Sequence, residues 1–185
     1  MKKNIWLITI LAVMCFATAD AIIIGDFDTG DKPNNLGGDF GAWDKDPADD
    51  SQSCKEKFDE GNTRHGLGYC MRLEYDVDSP NAAFNGFWMK LEGLDGTPFS
   101  KMVFWAKGDA MSGFTSRMKL EMKTPSEHGA YYVDGISAAW TRFEVPLTEF
   151  FISDFSTVSE IVFVFEDHSC DPKEGVVFLD DIGFE

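Results

Sequence analysis

Short runs of alternating apolar and polar residues recur along the chain and predict β-strands. Residues 71–77 and 117–123 place an apolar side chain at every second position, which is typical of strands with one buried face. Residues 87–91, 102–106 and 161–165 are apolar at almost every position. These three runs indicate central strands of a sheet, with both faces covered.

Turn-forming residues separate the predicted strands, and no segment shows a convincing helical period. Asp78–Asn81 is one such turn, and shorter strands are expected over 131–133 and 140–145. About nine short strands with frequent turns predict an all-β antiparallel sandwich, with residues 22–185 forming one domain. Residues 30–68 are rich in Gly, Asp, Asn and Lys, which predicts a long loop.

Residues 1–21 are predicted to form a secretion signal. Lys2 and Lys3 give it a charged start, residues 5–16 are apolar, and Ala19–Ala21 fits a cleavage site with small residues. The apolar run is shorter than the ~20 residues that a membrane-spanning helix needs. We therefore expect a mature chain that is secreted, periplasmic or located at the cell surface, without membrane insertion.

Charge narrows the class of ligand. The chain has a formal net charge of -16, and no basic patch is visible in the sequence. Such a surface repels phosphate backbones, anionic membranes and anionic polysaccharides, so nucleic acid is disfavoured as a partner. Neutral ligands and cations remain.

Three cysteines follow the predicted signal: Cys54, Cys70 and Cys170. In an exported protein, three cysteines predict one disulfide and one remaining thiol. A Cys54–Cys70 bond is the first choice because it would close the long loop, and Cys170 could replace either partner. The absence of a CxxC pair argues against a thiolate zinc site.

Two acidic segments, Ile24–Gly30 and Phe178–Phe184, place carboxylates inside strand-like runs near opposite ends of the mature chain. If these terminal strands pair, the carboxylates come together and suit a hard cation such as Ca²⁺, which takes oxygen ligands. The expected ligands are the side chains of Asp28 and Asp180 together with backbone oxygens, with Asp26 and Asp181 as alternates because neighbouring strand positions point to opposite faces. In the alternative interpretation, these residues are solvent-facing positions of ordinary strands.

Several segments, read in order, resemble the galactose-binding-like jelly-roll superfamily, and most nearly the family 11 carbohydrate-binding modules and the related CIA30-type domains. The similar motifs are Gly25–Gly30, Asn35–Trp43, Gly86–Leu91, Phe104–Gly108, Trp140–Phe150 and Asp180–Ile182. The resemblance covers nearly all of the mature chain and implies a jelly roll with its terminal strands side by side. It also favours a structural Ca²⁺ between those strands. The segment from Cys54 to His65 departs from the family pattern.

Sugar recognition needs flat aromatic surface against the C–H face of a pyranose, together with polar groups for its hydroxyls. The chain has 5 Trp, 4 Tyr and 17 Phe, and most Phe are assigned to the core. Trp43 in the long loop and Trp88 in a strand are aromatic candidates, with a structural role as the alternative for each. The positions that the resemblance implies are Tyr132, Asp154, Phe155 and Phe165, and the nearby polar candidates, otherwise a solvated rim, are Asp134 and Glu166.

The sequence gives little support to catalysis. His65, His128 and His168 lie in polar, loop-like surroundings, and no HExxH or GxSxG motif is present. The favoured function is an exported, non-catalytic module that binds a neutral polysaccharide such as a β-glucan. The alternative is a periplasmic or surface module of the CIA30 type that docks a protein partner. A glycoside-active enzyme would need two carboxyl groups about 5–10 Å apart in a groove.

Overall fold

The alternating segments form strands in the computed structural model, which describes residues 20–185. The strands are β1 (Ile22–Gly25), β2 (Phe40–Asp44), β3 (Ser53–Asp59), β4 (Cys70–Asp76), β5 (Phe84–Leu94), β6 (Lys101–Gly108), β7 (Arg117–Lys123), β8 (His128–Asp134), β9 (Thr141–Pro146), β10 (Val158–Glu166) and β11 (Glu174–Phe184). A short 3-10 turn covers Leu147–Phe150. No helix in the described part of the chain is long and apolar enough to cross a membrane. The predicted secretion signal lies, apart from Asp20 and Ala21, outside the described residues.

The strands form two antiparallel sheets. Sheet A has the order β3-β4-β11-β6-β9, with β1 also paired to β11, and sheet B has the order β2-β5-β10-β7-β8. The side chains on the inner faces of both sheets form one continuous apolar core. The prediction of an all-β antiparallel sandwich is therefore confirmed, and the paired terminal strands β1 and β11 match the predicted jelly-roll arrangement.

The period-two pattern decides which side chains fill the space between the sheets. Leu120 of β7 and Phe163 of β10 face inward from sheet B, and Phe104 of β6 faces inward from sheet A. The rings of Phe104 and Phe163 meet edge to face, 5.3 Å between centroids. Such contacts add packing energy beyond the area that the rings bury, so they fix the two sheets against each other.

Two strands lie inside the predicted long loop of residues 30–68. β2 and β3 are both edge strands, each paired on one side only, to β5 and β4 respectively. Edge strands tolerate glycine and lysine because one side of their backbone faces solvent. Their polar composition therefore resembles that of a loop, and the prediction of one continuous loop was wrong.

The predicted Cys54–Cys70 disulfide is not formed, and Cys54, Cys70 and Cys170 are buried free thiols. In the β3–β4 hairpin, Cys54 lies opposite Tyr75 and Cys70 lies opposite Asp59, at opposite ends of the pair. Five residue positions at about 3.3 Å each separate them by roughly 17 Å, far beyond the reach of a disulfide. The disulfide was expected to close a loop, but the two ends of that segment are joined by the backbone pairing of β3 and β4 instead.

Candidate functional site

The outer face of sheet B carries an ordered array of aromatic and charged side chains. Adjacent strands place Trp43, Gly86, Val164, Lys119 and Tyr132 side by side in one row across all five strands. The next row holds Gly41, Trp88, Val162, Glu121 and Ala130, and the row after that holds Lys90, Glu160, Lys123 and His128. Because strand residues alternate between faces, all these side chains point away from the core.

The two indole rings stand beside glycines. Trp43 pairs with Gly86 on β5, and Trp88 pairs with Gly41 on β2. A Cβ at Gly41 would already contact the Trp88 ring at 3.4 Å. A Cβ at Gly86 would overlap the backbone carbonyl of Phe163, so only glycine fits there. The absence of a side chain at Gly41 leaves room for the Trp88 ring, and the Lys90 ammonium lies over that ring, 5.6 Å from its centroid.

A groove of about 330 Å³ lies along this face, lined by Trp43, Trp88, Lys90, Glu121, Lys123, Glu160 and Val162. Val162 is 3% exposed and forms an apolar part of the groove between the charged side chains. Aromatic walls with a few convergent polar groups are typical of small-ligand sites. A depression of about 390 Å³ on the outer face of sheet A has a different lining, largely polar and charged, and its one ring, Tyr75, is 2% exposed.

The charges of the groove balance each other. Glu160 accepts hydrogen bonds from Lys90 and from Lys123, the latter at 2.7 Å. Glu121 pairs with Lys119 at 3.1 Å, and its other oxygen lies 3.2 Å from Nε2 of His128. Each ammonium group has three N–H donors and each carboxylate about four lone pairs, so donors and acceptors remain for ligand hydroxyls.

Burial and ion pairing shift the pKa values of the charged groups on this face in opposite directions. Burial alone would raise the pKa of Glu160, but the hydrogen bonds from Lys123 and Lys90 outweigh it and hold that pKa below its ordinary value. Burial alone would lower the pKa of Lys119, and its bonds to Glu166 and Glu121 raise it instead. Both groups therefore stay charged near neutral pH, which keeps the groove polar but close to neutral in net charge.

Tyr132 is held at the far end of the face from Trp43. Its hydroxyl donates a 2.6 Å hydrogen bond to Glu166, which also pairs with Lys119. The Arg117 guanidinium lies over the Tyr132 ring, 4.6 Å from its centroid, and pairs with Asp134 at 3.1 Å. Burial and the bond to Glu166 raise the pKa of Tyr132, so the phenol remains a neutral donor.

The structure brings together part of the predicted carbohydrate-binding set. The residues that share the outer face of sheet B are Trp43, Trp88, Tyr132, Asp134 and Glu166. Trp43 belongs to β2 and not to a loop, which gives its ring a fixed direction beside Trp88. These positions are compatible with a ligand platform, and whether they bind a sugar stays a prediction.

Three predicted residues lie elsewhere. Phe165 faces the interior and stacks on Tyr75 at 4.2 Å between centroids, because its neighbours Val164 and Glu166 occupy the outward positions of β10. Phe155 packs against the core in the segment before β10. Asp154 is exposed beside Glu127, which accepts its backbone N–H at 3.2 Å. The resemblance located the segments, but not the side that each residue faces.

Several residues in or beside the groove escaped the sequence prediction: Lys90, Lys119, Glu121, Lys123, Glu160 and Val162. The alternation over 117–123 did assign Lys119, Glu121 and Lys123 to one face of a strand. Which strands lie beside that face depends on long-range pairing, so the sequence pattern alone could not join these lysines to Glu160 of β10 or to Trp88 of β5.

The acidic terminal segments do converge, but around an arginine. Asp181 forms an ion pair with Arg64, which comes from the loop between β3 and β4, and its Oδ2 lies 3.4 Å from Nε2 of His65. Asp28 and Asp180 lie nearby, but Asp181 is the one described carboxylate within ion-pair distance of the Arg64 guanidinium. Asp26 lies apart, where it accepts hydrogen bonds from the Asn35 amide at 2.8 Å and the Asp28 N–H.

A bulge in β11 explains why Asp180 and Asp181 both reach Arg64. Between Asp180 and Gly183 the pairing with β6 contains one extra residue, and Asp181 has a φ of 44°. The bulge breaks the strict alternation that had made Asp181 an alternate to Asp180. Burial, together with the nearby Asp28 charge, raises the pKa of Asp180 to about 6, against the opposing effect of Arg64.

The side chains here do not by themselves make up the predicted Ca²⁺ site. Ca²⁺ takes six to eight oxygen ligands. Among residues 20–185, no three His, Cys, Asp or Glu side chains are grouped as a metal site. The carboxylate of Asp181 pairs with the guanidinium of Arg64 instead.

No protein-family model matches the chain, and no curated protein is similar to it in sequence. Solved structures are similar in fold. The family 11 carbohydrate-binding module of the cellulosomal cellulase Lic26A-Cel5E of Clostridium thermocellum superposes with a TM-score of 0.65 at 16% identity, over 91% of this chain and 95% of that chain. A family 11 module from the same organism, in complex with a β-1,3-1,4-mixed-linked tetrasaccharide, gives 0.63 at 17% identity, over 89% and 94%.

A module of a second family shares the architecture. Caldicellulosiruptor saccharolyticus CBM27-1, in complex with mannohexaose, superposes with a TM-score of 0.57 at 14% identity, over 90% of this chain and 97% of that chain. In all three comparisons the similarity covers almost the whole of both chains. The chain therefore has the jelly-roll β-sandwich fold that these solved modules share.

Proposed function

We propose that this protein is an exported, non-catalytic module that binds a neutral polysaccharide, such as a β-glucan, in the groove on the outer face of sheet B. The observation that carries the proposal is the pair Trp43 and Trp88 beside a groove of paired charges. The indoles offer flat apolar surface for pyranose rings, and the lysine and glutamate groups offer bonds to hydroxyls. A charge-balanced groove on a protein of net charge -16 favours a neutral ligand.

The arrangement favours a sugar chain that runs across the strands. Trp43 and Tyr132 are at the two ends of one row, four strand spacings apart. At about 4.8 Å per spacing, the row is roughly 19 Å long. An extended oligosaccharide could therefore contact the indoles at one end and the Tyr132–Glu166 pair at the other. The family 11 module with a bound mixed-linked tetrasaccharide supports this class of ligand.

Affinity gel electrophoresis and thermal shift with a panel of neutral polysaccharides test the proposal. Bound ligand should retard the protein and raise its unfolding midpoint. Trp88→Ala and Trp43→Ala should each weaken binding, by about tenfold or more if the rings stack on the sugar. The control is Phe151→Ala, which removes an aromatic ring that is 88% exposed away from the groove.

Two other outcomes would redirect the assignment. Retardation that the tryptophan variants do not change would remove sheet B as the site. If no glycan binds, and a protein partner from the cell envelope co-purifies with the wild type but not with the tryptophan variants, the docking alternative replaces the proposal. Release of reducing ends from a glucan would show that the protein is a glycosidase and would overturn the proposal of a non-catalytic module.

A further inference from the structure

The loop of residues 60–69, between β3 and β4, is fixed across the outer face of sheet A. The indole N–H of Trp140 donates to the Asn62 carbonyl at 3.0 Å, and the Lys107 ammonium donates to the Asn62 side chain at 3.0 Å. Asp59 accepts two backbone N–H bonds at the start of the loop, from Gly61 and Asn62, both at 2.9 Å. The loop therefore holds its side chains in place on the sheet.

Arg64 occupies the centre of this loop. Its guanidinium lies over the Trp105 ring, 4.5 Å from the centroid, which is a cation–π contact. The Arg64 side chain is 20% exposed, and its ion-pair partner Asp181 is 14% exposed. A cation held this way has few water molecules around it, so its attraction to nearby carboxylates is stronger than on an open surface.

Arg64 pairs with Asp181, and two further carboxylates from distant parts of the chain lie near this pair, beyond ion-pair distance. Asp28 follows β1, and Asp180 and Asp181 belong to the bulge of β11. The loop also approaches Asp28 directly, since Gly68, with a φ of 72°, has no room for a Cβ beside the Asp28 carboxylate. Without a positive charge, these carboxylates would repel one another, and the buried Asp180 would lose its compensation.

We propose that Arg64 takes the place of a metal ion here: its guanidinium pairs with Asp181, offsets the nearby charges of Asp28 and Asp180, and ties β11 to the β3–β4 loop. A guanidinium spreads its charge over a planar group with several donors, which suits more than one carboxylate. The protein would then carry its own cation, and its stability would not depend on Ca²⁺. This inference is independent of carbohydrate binding on the opposite sheet.

Thermal unfolding in excess EDTA and in millimolar CaCl₂ tests the inference. The wild-type midpoint should be the same in both solutions. Arg64→Ala should lower the midpoint in EDTA by several degrees, and Arg64→Lys, which keeps the charge, should lower it less. The matched control is Arg72→Ala, which removes an arginine paired with Glu74 on the same face of sheet A.

Terbium provides a second readout, since Tb³⁺ takes oxygen ligands as Ca²⁺ does and is sensitised by a nearby indole. Trp105 should sensitise Tb³⁺ once Arg64 is replaced by alanine and the carboxylates are free, and not in the wild type. Tb³⁺ luminescence in the wild type, or a wild-type midpoint that rises with stoichiometric Ca²⁺, would overturn the inference. An Arg64→Ala protein as stable as the wild type in EDTA would overturn it as well.

Discussion

Tyr132 donates a 2.6 Å hydrogen bond to Glu166, and this bond joins an edge strand of sheet B to its central strand across β7. Glu166 is 7% exposed and also pairs with Lys119. The bond therefore fixes the phenol ring at the end of the groove face that lies farthest from Trp43.

Tyr132→Phe should keep the ring and lose this bond. We expect a loss of about 1 kcal/mol in the free energy of unfolding, since Glu166 keeps its lysine partner. Affinity for a bound glycan should fall as well if the sugar reaches this end of the row. Urea denaturation and calorimetric titration of the same samples measure both effects. A variant that binds as tightly as the wild type would place the sugar nearer the tryptophans.

Gly86→Ala should destabilise the protein strongly. The added methyl group would overlap the carbonyl of Phe163 on β10, and backbone cannot move aside as a side chain can. Overpacking of this kind costs about 1–3 kcal/mol. The comparison is Gly61→Ala, where the nearest atom to the new Cβ is the Asp59 carboxylate at 3.5 Å. Equal stability of the two variants in urea would contradict the register of β5 against β10.

Glu160→Gln should make the stability of the protein depend less on pH. The folded-state pKa of Glu160 is held below its ordinary value of 4.5, so its ion pairs stabilise the native state above that pH. This contribution is lost as the pH falls through the folded-state pKa. We expect the variant to be less stable than the wild type by about 1 kcal/mol at pH 7, because both lysines are partly exposed. The difference should disappear in acid.

Urea denaturation at several pH values measures this difference, with Glu149→Gln, outside the groove, as the control. A difference between wild type and Glu160→Gln that stays constant into acid would contradict the assigned ion pairs with Lys90 and Lys123.

The three described cysteines should titrate as free thiols only after unfolding. Burial raises the pKa of Cys70 to about 12 and raises the pKa values of Cys54 and Cys170 as well, so little thiolate forms near neutral pH. A thiol reagent such as DTNB should react slowly with the native protein and rapidly in denaturant. Reducing agent should leave the unfolding midpoint unchanged. A midpoint that falls on reduction would show a disulfide.

Much of the fold could be predicted from the sequence because period-two patterns are local. The strand over 117–123 has the predicted bounds, and the apolar run 161–165 is the centre of β10. The edge strands β2 and β3 could not be predicted in this way, since solvent on one side removes the requirement for apolar residues. The bulge at Asp181 was equally invisible, because it is a property of the pairing with β6.

The site was harder to predict than the fold. Trp88 could be proposed from its neighbours, and the structure places it in the groove. Phe165 could not be separated from Val164 or Glu166, since a shift of one residue reverses the face of every side chain in a strand. Arg64 gave no signal, because its ion-pair partner Asp181 is more than a hundred residues away in the sequence.

The position of β11 in sheet A has a consequence for how the protein reaches its native state. β11 pairs with β1, β4 and β6, so residues 174–184 connect the β3–β4 hairpin to the β6–β9 pair. A growing chain that lacks this strand has sheet A in separate pieces, and contacts so distant in sequence form slowly. Folding would therefore be completed only after synthesis has passed residue 184.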